Sequence, residues 1–440
     1  MPLIARRTFL KATTAGAVLA AVSPFSSPST YAGVAGRTDQ YDAAVAYAHL
    51  ATALRVVETT PGFSPPVASR FLAYLGTALY GAVSSGMPGY RPLADLLTRF
   101  PGIPGTPHGG LHWPTVANHA MGKTLGSMVP SGSPADELVH ATVDEQDRHA
   151  SIPAPLRARS IERGEMVGGA VAQWAAVDGG HNGHLTNFPA GHVSPVGPGL
   201  WEPTPPDFQT IPLQPYWGNN RPFIHQGCDA SAPPAYSVDP DSVFGGFAQE
   251  VYDVGQTLTD EQIAIALFWA DDPGTLTPPG HSLSMTGQIL AAEQSSLGVA
   301  AETLFRAGCA VADAFIQCWH TKYIWNLVRP VTHIRAHIDP TWSPIVTTPP
   351  FPEYNSGHST QSAAWAEVMT SLFGSAYVFT DHTHHGLGLA PRTFSSFREA
   401  GEEAAVSRLY GGIHYRFGND SGLSAGRCVG RAAAEFGLAA

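Results

Sequence analysis

Charge is what this sequence has least of. Lys, Arg, Asp and Glu make up 13% of its 440 residues, about half the share usual in soluble globular chains. The charged set is also unbalanced: 24 basic residues against 35 acidic ones leave a net charge of −11. Such a chain lacks the basic footprint of a nucleic-acid binder or of a protein that rests on anionic lipid, so neither partner is expected. Cysteine is equally scarce. Cys228, Cys309, Cys318 and Cys428 show no C-x-x-C spacing, which argues against a zinc or redox motif; one or two disulfides are compatible with the count, and the pairing stays open. Past the N-terminal segment no apolar run reaches the roughly 18 residues a membrane-crossing helix needs. Alternating strand patterns are scarce too.

What is plentiful is apolar residue, at 44%, together with 46 Gly and 38 Pro. Helical spacing of apolar positions appears at 41–58, 67–85, 161–177, 260–270, 285–319, 360–373 and 396–411. Proline-rich strings separate these segments, and 185–240 reads as one long irregular stretch, the kind that serves as a functional loop or covering strap. The pattern predicts an all-α protein of two helical bundles joined by long Pro/Gly-rich loops, with the chemistry in the C-terminal bundle. The expected division is 1–32, 33–225 (an N-terminal helical region with strap loops) and 226–440 (the functional bundle). The opening 32 residues hold Arg6, Arg7 and Lys11, no acid, and then a short apolar run. They resemble a twin-arginine export signal, which implies a periplasmic or extracellular protein.

Three segments carry candidate chemistry. In AETLFRAGCAVADAFIQCWHTKYIWNLVRP, Lys322 and Arg329 lie seven apart, two helical turns, so a continuous helix ending at Pro330 would point both cations the same way. In PPFPEYNSGHST, Asn355 and Ser356 are N-cap types, Gly357 permits close backbone approach, and the free amides of the first helical turn form an oxyanion site. His358 sits at that turn, placed for proton transfer. In FREAGEEAAVSRLYGGIHYRFG, Glu402 and Glu403 read as a solvated helix face. Arg408 and His414 fall on opposed faces of a continuous helix, but Gly411-Gly412 breaks it and lets His414 fold back toward Arg408. Three cations, an amide-rich helix start and two histidines suit a tetrahedral oxyanion. A fourth string, DHTHHG, offers Asp381, His382, His384 and His385 as metal ligands, without a partner at fixed spacing.

The blocks K-x6-RP (Lys322–Pro330), SGH (Ser356–His358) and SR-x5-H (Ser407–His414) together resemble the signature shared by vanadium-dependent haloperoxidases and the acid and type 2 phosphatidic acid phosphatases. The strings LWEPTPPDF, QPYWGNNRPF and FWADDPGTLTPPGH extend the likeness toward bacterial secreted haloperoxidase-like proteins. The resemblance implies vanadate as cofactor, with His414 as the vanadium ligand and His358 as the acid–base group. Lys322, Arg329, Ser356, Gly357, His358 and Arg408 become oxyanion contacts, Lys322 also a catalytic polariser, and Phe351 and Trp319 line the halide side. Asp271 or Asp272 orients an arginine; the sequence does not choose between them. Asn355 departs from the proline usual in the fungal enzyme, and NLVRP lacks an aromatic before Arg-Pro.

The expected partners are hydrogen peroxide, a halide and a small organic substrate; a homodimer is compatible with the sequence, which does not decide assembly. The leading reading is a vanadate-dependent haloperoxidase. A secreted acid phosphatase, holding phosphate and working through a phosphohistidine at His414, is the alternative, and a non-catalytic oxyanion-binding protein the third. Phe351, Trp319 and the aromatic strap favour the first.

Overall fold

The computed structural model describes residues 36–103, 105, 110–224 and 227–439. The segment read as an export signal lies outside them. Five helices come first: α1 (Ala44–Thr59), α2 (Pro65–Val83), α3 (Trp113–Gly126), α4 (Pro134–His149) and α5 (Ala154–Ala175). An irregular strap follows, with only short 3-10 turns. Next come α6 (Val243–Gln256), α7 (Asp260–Phe268), α8 (Thr277–Ala292), α9 (Leu297–Trp325), α10 (Pro330–His337) and α11 (Gly357–Phe373). A two-stranded antiparallel ribbon, β1 (Phe379–Asp381) with β2 (Arg392–Phe394), leads to α12 (Phe397–Tyr410) and α13 (Arg416–Ala434). Among the described residues no helix is long and apolar enough to cross a membrane.

The expected all-α architecture holds. One apolar core runs from Ala43 to Leu438 and draws on both halves of the chain, because α9, 29 residues long, packs against α2 on one side and α11 on the other. The helix expected over 285–319 is two helices: Ser296 leaves helical geometry and caps α9 by accepting from the Val299 amide.

Two packing features place the functional segments. In α13, Gly422, Gly426 and Gly430 recur every four residues and so line one face. A Cβ on Gly426 would lie 2.1 Å from the Thr360 carbonyl oxygen, and one on Gly430 2.4 Å from that of Ala364. Only glycine lets α13 approach α11 this closely, and α11 carries the Ser-Gly-His turn. The strap is the second feature. Leu213 donates its amide to the Pro350 carbonyl and accepts, at its own carbonyl, from Trp319 Nε1 and the Tyr323 hydroxyl. The buried Asp313 of α9 accepts from the Phe223 and Ile224 amides. Cys228 and Cys428 form a disulfide that ties the end of the strap to α13, while Cys309 and Cys318 are free and buried in α9. The strap thus lies over the Trp319–Phe351 side of the bundle.

Candidate oxyanion site

Lys322 and Arg329 converge, but not on one helix face as the spacing predicts. Helix α9 stops at Trp325, where Asn326 takes a left-handed conformation (φ 45°) and gives its amide to the Lys322 carbonyl. Pro330 does not end that helix; it opens α10 at the first-turn position that tolerates proline, with Arg329 as N-cap. Arg329 therefore reaches the site from the turn between two helices. The signal for this was Asn326 itself, a residue that takes the left-handed helix-ending conformation, followed by Pro330.

Three cations meet here, all fully buried: Lys322, Arg329 and Arg408. Lys322 Nζ donates to the carbonyls of Pro352 and Glu353 at 2.9 Å each, leaving one of its three N–H donors. Arg329 gives Nε to the Phe351 carbonyl and Nη1 to the Ile413 carbonyl and His414 Nε2; its Nη2 is buried without a partner. Arg408 donates to the Ser407 hydroxyl and the Ala266 carbonyl. Burial disfavours charge on all three, pulling Lys322 down to about 7 and both arginines to about 10. A polyanion reverses that penalty.

Helix α11 starts as expected. Ser356 is its N-cap, accepting from the Ser359 amide, and Gly357 is its first residue. His358 follows. Its Nε2 lies 3.7 Å from Asp271 Oδ2 and has no hydrogen-bond partner. Burial and the nearby Arg408 lower its pKa to about 4, with Asp271 opposing. On the far side, Gly411 and Gly412 end α12, Gly412 adopts φ 76°, and the Ile413 amide returns to the Arg408 carbonyl. After that turn His414 Nε2 lies 3.2 Å from Arg329 Nη1, while Arg408, the expected neighbour, reaches it only electrostatically. Burial and then Arg329, Lys322 and Arg408 hold its pKa well below the ordinary histidine value. Phe351 and Trp319 lie 5.1 Å apart at their ring centroids, with Lys322 Nζ 5.0 Å and the Arg329 guanidinium 4.8 Å from the Phe351 ring.

Sequence reasoning missed one acid, Glu353, and one histidine, His281. Glu353 accepts from His414 Nδ1 at 2.7 Å. The only hint was an isolated acid within PPFPEYNSGH. Of Asp271 and Asp272, the first is the structural hub, though its hydrogen bonds run to histidines: it accepts from His281 Nδ1 and His384 Nε2 at 3.0–3.1 Å. Asp272 is within electrostatic reach of Arg408. His281 also bonds Asp381 at 2.7 Å and stacks on Trp269 at 4.6 Å. Burial opposes charge on His281, but the two carboxylates outweigh it and hold its pKa at about 10. Asp271, His281 and His384 have the spacing of a metal site; the imidazolium of His281 already supplies the cation there. Within DHTHHG, Asp381 and His384 are thus buried network members, while His382 and His385 are exposed. Glu403, expected on a solvated face, instead accepts from Arg392 and Trp269 Nε1, because the β1–β2 ribbon folds over that side of α12.

The arrangement suits a tetrahedral oxyanion: buried donors on three sides, the unpaired Arg329 Nη2, and two histidines. The family model for the second helical-bundle domain of vanadium chloroperoxidase matches residues 302–439, which contain every one of these donors. A bacterial vanadium-dependent iodoperoxidase of known structure is 33% identical, with 89% of this chain and 96% of that one covered at a TM-score of 0.81. The chain belongs to the vanadium-dependent haloperoxidase family. Bacterial vanadium-dependent chloroperoxidases, in holo and apo forms, share the fold at 16% identity and a TM-score of 0.65, covering 87% of this chain and 93% and 95% of theirs. No curated protein matches the chain by sequence.

Proposed function

We propose that this haloperoxidase binds vanadate in the Lys322–Arg329–Arg408 pocket and uses hydrogen peroxide to oxidise halide, passing a hypohalous-acid equivalent to a small organic substrate. The observation that carries the reading is the buried, unpartnered Arg329 Nη2 in a pocket where the buried Lys322, Arg329 and Arg408 all act on His414, a donor set that needs an anion to be satisfied. When bound, vanadate supplies a Lewis-acidic centre that activates peroxide toward halide. His414 is the residue to ligate it through Nε2. Lys322, Arg329 and Arg408 neutralise its oxygens, and the Gly357 amide and Ser356 hydroxyl add donors at the start of α11. Lys322, with one N–H donor left over from its bonds to the Pro352 and Glu353 carbonyls, would polarise the bound oxygen that halide attacks. His358, neutral near pH 7 and 3.7 Å from Asp271, would serve as the proton acceptor, with Asp271 placed to stabilise its imidazolium. Phe351 and Trp319, roofed by the strap, keep water from the halide side. Iodide is the first halide to test, since the 33%-identical relative is an iodoperoxidase. The Cys228–Cys428 disulfide and the twin-arginine-like string at Arg6-Arg7 support work outside the cytoplasm.

The test is halogenation of a dione by apo-protein with peroxide and iodide, bromide or chloride, with and without vanadate, beside hydrolysis of an aryl phosphate. Halogenation that requires vanadate and disappears in His414→Ala is expected. Phosphate-ester hydrolysis alone would establish the phosphohistidine reading instead.

Lys322 adds a pH signature. Burial holds the Lys322 pKa down to about 7; a bound polyanion raises that value, so binding above pH 7 takes up a proton. Vanadate affinity, corrected for vanadate's own ionisation, should fall as pH rises through 7 and lose that dependence in Lys322→Met. An unchanged profile in the variant would remove Lys322 as the titrating group.

A further inference from the structure

Glu353 is fully buried and touches both sides of the pocket. Its side chain accepts from His414 Nδ1 at 2.7 Å and from the Tyr415 amide at 3.2 Å. Its carbonyl accepts from Lys322 Nζ, and its amide donates to the Leu327 carbonyl. The protonation of His414 follows from its two neighbours. A guanidinium has donors and no acceptor, and Arg329 Nη1 lies 3.2 Å from His414 Nε2; Nε2 must therefore accept. A neutral imidazole whose Nε2 accepts carries its proton on Nδ1, and that proton points at the Glu353 carboxylate. Space for this carboxylate is reserved by Gly418: a Cβ there would lie 2.3 Å from Glu353 Oε1 and 3.0 Å from its Cδ. A carboxylate behind a metal-bound histidine fixes ring orientation and tautomer.

We propose that Glu353 is a positioning residue for His414, holding the Nδ1 proton so that the Nε2 lone pair is committed to the oxyanion pocket. The proposal rests on the reading of His414 as the vanadate ligand. The competing account makes Glu353 a counter-charge for Lys322 and Arg329, and the two differ in what a neutral acceptor can rescue.

Two readouts, neither of them turnover, separate these accounts. In apo-protein labelled with ¹⁵N-histidine, nitrogen shifts report which ring nitrogen of His414 is protonated, with the signal assigned by its loss in His414→Gln. Vanadate affinity is measured by equilibrium dialysis. Wild type is expected to show the Nδ1–H form alone. Glu353→Leu should mix the tautomers and weaken vanadate binding about 10–100-fold. Glu353→Gln keeps an acceptor oxygen and should retain the tautomer and most of the affinity. Gly418→Ala, with Glu353 in place but displaced, should shift both readouts in the direction of Glu353→Leu. A folded Glu353→Leu protein with an unmixed Nδ1–H His414 and wild-type affinity would overturn the proposal, as would Glu353→Gln failing as badly as Glu353→Leu. Wild-type affinity in His414→Gln faults the ligand reading instead, and the tautomer measurement still decides whether Glu353 positions the ring.

Discussion

Replacing His358 by alanine is expected to lower halide oxidation by about 10²–10⁴-fold while vanadate affinity falls far less. The reason is geometric. In the proposed site the anion's charge would be met by Lys322, Arg329 and Arg408, all fully buried, so removing a neutral imidazole would leave the main binding energy in place. What disappears is the proton acceptor beside Asp271. Burial and Arg408 hold the His358 pKa at about 4, and a bound anion that offsets Arg408 moves it upward. Wild-type turnover should therefore decline on an acid limb at or above pH 4 as His358 becomes protonated before peroxide arrives, and His358→Ala should lack that limb. Steady-state rates at saturating peroxide, read beside vanadate dialysis, check both parts. Equal losses of rate and affinity would make His358 a binding group rather than a base.

The second large effect is on stability. Asp271 is buried among His281, His384 and His358, and its backbone sits in the left-handed region at φ 48°. Asparagine tolerates that conformation, so Asp271→Asn isolates the charge. It leaves the His281 imidazolium with Asp381 alone, and uncompensating a buried pair costs about 3–5 kcal/mol. The pH dependence has a definite sign. His281 has its folded pKa raised to about 10 from 6.5, so its contribution is complete below pH 6.5, declines above it, and is gone once pH passes 10. Asp271 is held well below the usual carboxylate value despite burial, by His281 first, so its share is present above pH 3.8 and is lost in strong acid. Denaturant unfolding at pH 6 and pH 10.5 should show the Asp271→Asn deficit at the first and little of it at the second. A deficit of the same size at both would mean that the lost bonds, not the imidazolium, carry the energy.

These two residues also show where reading the chain succeeds and where it stops. His358 was legible because Ser356-Gly357 announces a helix start, a local property of adjacent residues, and amide donors at a helix start bind anions wherever they occur. His414 was legible for a similar reason: Gly411-Gly412 breaks a helix, and the break carries the ring back. Lys322 and Arg329 were correctly paired by a wrong route, since the turn at Asn326, not a shared helix face, brings them together.

Asp271, His281, Asp381 and His384 come from a loop, a helix, a ribbon strand and a turn, up to 113 residues apart. No local pattern links them, because nothing but the packing of α8, α11 and the ribbon makes them neighbours. The same holds for Cys228 and Cys428, 200 residues apart, whose pairing depends on where the strap ends against α13. The sequence by itself determined the all-α class, the three candidate oxyanion blocks and the family they announce, for these reside in helix periodicity, caps and breaks a few residues long. Only the tertiary structure decided which carboxylates stand behind the two histidines. A buried acid is placed by the close approach of distant backbones, at Gly418 beside Glu353 above all, and that approach is a property of the packed fold.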